Sequence, residues 1–196
     1  AGYTEDEAVN LNVNYITKIM RKYPKVKRWI VLNEEVQVYS DGSVHFAKSP
    51  WNQFDRPYNV QKLPDYMYDY FRTARQTNPD ATLIYNDYWI EGRTDIPTAD
   101  KKADAVFQCV KQLRSSDTDL YPEKGLIDAV GFQMHLDAAH LNTKVKLDSY
   151  LTKFKEQLRR YKDIGVKVFL TEFDLEITKL AGSDEENENI CYDIYL

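Results

Sequence analysis

Polar residues able to do acid–base chemistry gather at four places in this chain of 196 residues, each directly after a short apolar run. Asn33, Glu34 and Glu35 follow Trp29-Ile30-Val31-Leu32, and Asn86, Asp87 and Tyr88 follow Thr82-Leu83-Ile84-Tyr85. Gln133 and His135 follow Ala129-Val130-Gly131-Phe132, and Thr171, Glu172 and Asp174 follow Val166-Lys167-Val168-Phe169-Leu170. A carboxyl group that gives up a proton, paired with a carboxylate that attacks or activates water, is the equipment for cleaving the acetal linkage between sugars. Carboxylates after a strand also commonly cap the next helix, which accounts for any one cluster better than for four in succession. Competing uses of these groups lose support. His45, His135 and His140 show no HExxH or comparable ligand spacing, so neither a metal nor another cofactor is expected. A serine hydrolase would carry a GxSxG elbow, and none is present.

The runs before the clusters read as buried strands, and helical patterns separate them. An opening helix is expected from Thr4 to Lys22, with Thr4 and Glu7 at capping-box spacing and Pro24 stopping it. Further helices are expected over Pro64–Gln76, Asp100–Leu113 and Lys144–Ile164. The last would bury Leu147, Leu151, Phe154, Leu158 and Tyr161, with Gly165 as its cap. Residues 35–63 read as one long loop, a length usually reserved for function or mobility. Ser183-Asp184-Glu185-Glu186 reads as a solvated loop or helix start, and the stretch from Cys191 to Tyr195 is ambiguous. Strands alternating with helices imply parallel βα units, either a doubly wound sheet or part of a (β/α)8 barrel. No glycine-rich phosphate turn follows any strand, which disfavours the nucleotide-binding sheet. In a barrel all four clusters would lie at the C-terminal face, where such enzymes keep their active sites.

Composition narrows the classes. With 26 basic and 31 acidic residues, net charge −5 and no basic block, nucleic-acid binding has no electrostatic footing. No run approaches the ~20 apolar residues of a membrane span. Seven Gly and seven Pro are few for a turn-rich sandwich. The 15 Tyr suit either packing or sugar stacking, and two cysteines, Cys109 and Cys191, allow a bridge or free thiols.

The segments Trp29–Glu34, Leu83–Tyr88, Val130–His135 and Phe169–Asp174 resemble, in order and spacing, the fourth to seventh strand ends of family 10 glycoside hydrolases, the endo-β-1,4-xylanases. Ser49-Pro50-Trp51 and Tyr70–Arg75 resemble segments between the first two motifs. The resemblance covers about Thr4 to Ile177 and implies an α/β fold, a partial (β/α)8 TIM barrel of four βα units. Residues 1–196 would form the C-terminal part of the catalytic domain, without strands one to three and the eighth.

Activity on internal bonds of xylan with retention of configuration is implied, with Glu34 as acid/base and Glu172 as nucleophile. Asn33, Asn86, Tyr88, Gln133 and His135 would contact substrate, supported by Asp174. Glu35, beside the acid, would point elsewhere. The resemblance also implies xylan or xylo-oligosaccharide as partner, a secreted or cell-surface setting, and a further chain or segment completing the barrel. The chain departs from the pattern where Ile30 replaces an Asp and Trp89 an Asn. A glycan-binding half-barrel without activity, or a β-glycanase of other specificity, would fit the same residues.

Overall fold

A computed structural model describes residues 3–47, 56–177, 180 and 182–195. Helix α1 (Glu5–Lys22) starts as its sequence dictates. The Thr4 hydroxyl accepts the Glu7 N–H while the Glu7 carboxylate accepts the Thr4 N–H at 2.8 Å. Strand β1 (Arg28–Asn33) follows, then three short strands β2 (Val36–Val38), β3 (Val44–Phe46) and β4 (Arg56–Pro57) in an antiparallel sheet. The stretch read as one long loop therefore carries strands, whose length of two or three residues gave too little pattern to separate from the turns. Ser49-Pro50-Trp51 lies outside the described residues.

Helix α2 (Asp65–Thr77) takes Pro64 as its cap residue. It leads to β5 (Thr82–Asp87), α3 (Ala99–Arg114), β6 (Ala129–Phe132), β7 (His135–Asp137), α4 (Ala138–Leu141) and α5 (Lys144–Asp163). Then come β8 (Lys167–Leu170), β9 (Asp174–Glu176) and α6 (Asp184–Tyr195). Gly165 ends α5 at φ +69°, its N–H bonded to the Lys162 carbonyl and that of Val166 to the Tyr161 carbonyl, the double bond pattern that only a left-handed residue allows cheaply. The Ser183 hydroxyl and the Glu186 carboxylate cap α6 reciprocally, which resolves the acidic tail as a helix.

The main sheet is parallel with order β1-β5-β6-β8. Neighbours follow one another along the chain with no reversal of order, which suits a barrel segment and not a doubly wound sheet. The sheet also curls. Arg28 on one edge strand holds its guanidinium 5.2 Å from the ring centroid of Phe169 on the other. Burial follows position. β5 and β6, with neighbours on both sides, are buried almost throughout, whereas edge strands β1 and β8 are largely half-buried or exposed, leaving Ile30 48% and Leu170 53% exposed. The expectation of four buried strands thus fails at both edges, because an apolar run cannot report how many neighbours a strand has.

The helices pack outside. α3 sends Val106, Val110 and Leu113 inward together with Cys109, and Phe132 and Tyr161 meet edge-on at 5.6 Å. On α5 the covered stripe is Tyr150, Gln157 and Tyr161, flanked by partly covered Phe154 and Leu158; Leu151 faces solvent, against expectation. At the base of the sheet, fully buried Arg75 pairs with Asp128 at 2.6 Å, donates to the Ala81 carbonyl at 2.9 Å, and Asp128 accepts the Leu83 N–H at 2.8 Å. This pair ties the end of α2 to the start of β5 and β6. Cys109 and Cys191 are both free thiols.

Candidate active site

Strand register brings the four clusters to one end of the sheet. Asn33 lies opposite Asn86, and Asn86 opposite Gly131, so residues far apart in sequence share one row. Gly131 is required there. A Cβ on it would sit 2.2 Å from Asn86 Oδ1 and 2.8 Å from the Thr171 methyl, so any side chain would evict Asn86 from the row. Through that gap Asn86 acts as a switchboard. Its amide donates to Asn33 Oδ1 at 2.7 Å and to Glu172 Oε1 at 2.8 Å, and its oxygen accepts the Thr171 hydroxyl at 2.6 Å.

Glu34 receives the Gln133 amide on Oε1 at 2.8 Å, and the same amide is 3.4 Å from Asn33 Oδ1. The two glutamates are thus joined by a continuous set of side-chain amides. Glu34 sits at φ +59°, a left-handed conformation that costs a bulky side chain about 1–3 kcal/mol and clusters at functional sites. Its N–H donates to the Asn86 carbonyl at 2.9 Å, which helps offset that cost.

His135 bridges two carboxylates, with Nε2 3.3 Å from Glu172 Oε2 and Nδ1 2.7 Å from Asp174 Oδ2. The pairing of β7 and β9 sets His135 opposite Asp174. Desolvation works against a charged ring, but the hydrogen bond and charge of Asp174, joined by Glu172, outweigh it and hold His135 above the ordinary imidazole range. A folded value above the unfolded one means that stabilisation by charged His135 is complete below the ordinary range and is lost as pH rises through the folded value. Asp174→Asn is expected to move the imidazole midpoint down, read from ring-proton shifts in an NMR pH titration. A midpoint unmoved by this change would remove Asp174 as its cause.

Glu35 points to a different partner from Glu34. It is buried and accepts the Tyr66 hydroxyl at 2.8 Å, away from the amide row. The three histidines serve separate ends: His45 packs edge-on against Tyr39 and His140 bonds Asp95 at 2.6 Å. Among the described residues no three His, Cys, Asp or Glu are grouped so as to hold a metal ion. Tyr88 reaches Gln37 Oε1 at 2.7 Å, and Gln37 Nε2 reaches the Glu34 carbonyl at 3.0 Å. Of the two departures, Ile30 does not pack as an interior strand residue but stands exposed on the sheet edge. Trp89 occupies φ +60°, where an Asn would be at ease, and its ring meets Tyr88 edge-on at 4.8 Å.

Sequence reasoning missed Gln37, Gly131 and Lys102 as site supports. Gln37 fell in the supposed loop. For Lys102 a signal existed, since it precedes Val106, Val110 and Leu113 by four, eight and eleven positions and so shares their apolar helix face.

The sequence profile of glycosyl hydrolase family 10 matches residues 3–193. The chain belongs to glycosyl hydrolase family 10. Among its relatives is endo-1,4-beta-xylanase B of Thermotoga neapolitana, 30% identical over 88% of this chain and 41% of that protein. Endo-1,4-beta-xylanase B of Neocallimastix patriciarum is 30% identical over 86% of this chain and 16% of its own length. Of solved structures, native xylanase 10B from Thermotoga maritima superposes with a TM-score of 0.69 at 29% identity, over 99% of this chain and 50% of the other. Xylanase 10B from Thermotoga petrophila, in complex with xylobiose, gives 0.69 at 28% identity, again over 99% and 50%. This chain therefore spans less than half the length of these relatives and half that of these structures, and its four-stranded curled sheet is a partial (β/α)8 barrel of family 10.

Proposed function

We propose that these residues supply the catalytic carboxylates of a retaining endo-β-1,4-xylanase. The observation that carries this reading is the amide row that joins Glu34 and Glu172 from opposite edges of the sheet. In the first step a Glu172 oxygen bonds to the anomeric carbon as the glycosidic C–O bond breaks, and Glu34 gives its proton to the departing oxygen. In the second, Glu34 takes a proton from water, whose oxygen displaces Glu172 and releases the sugar. Asn86 and His135 each contact one oxygen of Glu172, which fixes the direction of the carboxylate. Asn33, held by the Asn86 amide, is placed to bond the sugar hydroxyl beside the anomeric carbon, a contact that strengthens in the transition state. Asp174 keeps His135 oriented, and Gln133 completes the row on Glu34.

Xylan and xylo-oligosaccharides are the proposed substrates, because the relatives are named as xylanases and a neighbouring structure holds xylobiose. The half-exposed edges of β1 and β8 are proposed to pair with further strands, from another segment or chain, that complete the barrel. A polymeric substrate favours action outside the cell. Among the described residues no helix is long and apolar enough to cross a membrane. The test is product analysis with the whole protein that carries these residues, on xylan, cellulose and mannan. Xylo-oligosaccharides born with β-anomeric ends are expected. Initial α-anomers, or turnover of cellulose or mannan in preference to xylan, would overturn the assignment.

A further inference from the structure

A lysine lies buried beneath the candidate acid/base. Lys102 projects from α3 and is 1% exposed, with Nζ 2.8 Å from Asp87 Oδ1 and 3.0 Å from the centroid of the Tyr88 ring. Among the described residues no other side chain forms an ion pair with this ammonium. Burying a cation costs several kcal/mol, and an apolar side chain of similar length would fill the space at lower cost. The charge therefore needs a reason, and its two neighbours supply one.

Both lead to the same segment. Asp87 accepts the Tyr85 hydroxyl at 2.7 Å and the Tyr88 N–H at 2.9 Å, and the Tyr85 oxygen accepts the Val36 N–H at 3.2 Å. Tyr88, its ring face covered by the ammonium, donates to Gln37 at 2.7 Å, and Gln37 donates to the backbone carbonyl of Glu34 at 3.0 Å. Two routes thus run from the Lys102–Asp87 pair to residues 34–37, where Glu34 is held in a left-handed conformation. We propose that Lys102 is a positioning residue: through Asp87, Tyr88 and Gln37 it fixes the backbone that aims Glu34 at the leaving oxygen.

Burial pushes the Asp87 carboxyl up to about 6, with Lys102 first among the groups that hold it down. Burial likewise pulls the Lys102 ammonium down, opposed chiefly by Asp87.

The inference rests on Glu34 being the general acid, and the test separates the two. The whole protein is assayed on phenyl and dinitrophenyl xylobiosides, the first needing a proton on its leaving oxygen and the second not. Lys102→Met is expected to lower kcat/KM on the phenyl substrate by about tenfold or more while leaving the dinitrophenyl substrate within about twofold. Gln37→Leu leaves the buried pair intact and is expected to show the same selective loss, which keeps the test valid if Lys102→Met fails to fold. The double variant should fall no further than the weaker single one. Equal loss on both substrates, full additivity, or a Gln37→Leu protein without selectivity would overturn the positioning role. An unsubstituted protein that cleaves neither xylobioside would sink the xylanase reading and this inference together.

Discussion

Replacing Glu172 with Gln in the protein that carries these residues is expected to lower kcat on xylan by about 10⁴–10⁶-fold, the scale seen when an enzyme loses its nucleophile. The change is nearly isosteric. A glutamine oxygen can still accept the Asn86 amide, so the row from Asn33 to Thr171 has no reason to collapse. What disappears is the negative charge that bonds to the anomeric carbon and that stabilises the developing positive charge on the sugar. The unfolding midpoint should therefore shift little while turnover vanishes. Circular dichroism melts beside reducing-sugar assays read both. Turnover like that of the unsubstituted protein from Glu172→Gln would exclude Glu172 as nucleophile.

Glu34→Ala is expected to act on both half-reactions, and to do so unequally. Without the acid, release of a poor leaving group should slow by about 10²–10⁴-fold, the usual worth of a positioned proton donor. A good leaving group departs without that proton, so the first step survives. The glycosyl-enzyme then waits for water that no base activates, and a burst of released phenol precedes slow turnover. Azide, a small nucleophile that needs no base, should accelerate this second step and yield a β-glycosyl azide. An α-azide, or a variant equally slow on good and poor leaving groups, would refute Glu34 as the acid/base on the retaining pathway.

The surroundings of the two carboxylates differ, and part of that difference was legible in the chain. The four apolar runs each followed by Asn, Glu, Gln or His pointed to one end of a parallel sheet, and the strand register brings all four to that end. Resemblance to the family gave Asp174 a supporting place beside the group that includes His135, and the two side chains lie 2.7 Å apart. The helix limits followed from local chemistry: a capping box at Thr4, Asn78-Pro79 after α2, and Gly165 after α5 are each decided within a few residues. The short strands β2 to β4 had no such local signature, because their pairing partners, and not their own pattern, stabilise them.

Burial was the least legible property. Ile30 and Leu151 look as apolar as their neighbours, yet one stands on an open sheet edge and the other on the outer side of α5. Lys102 shows the reverse case, a charged residue whose helix face carries it inside, where its ammonium meets the Asp87 carboxylate and the Tyr88 ring.

By itself the sequence determined the alternation of strands and helices, the identity of the chemical groups and their place at the strand ends, because periodicity, caps and strand termini are properties of neighbouring residues. Only the tertiary structure decided which groups touch. That Asn86 reaches both Asn33 and Glu172, that Gly131 must stay bare to let it, and that Lys102 stands under Tyr88 depend on the register and curl of a parallel sheet whose adjacent strands start 38 to 54 residues apart along the chain. Contacts across such a sheet are set by distance in space, which no local pattern along a chain encodes.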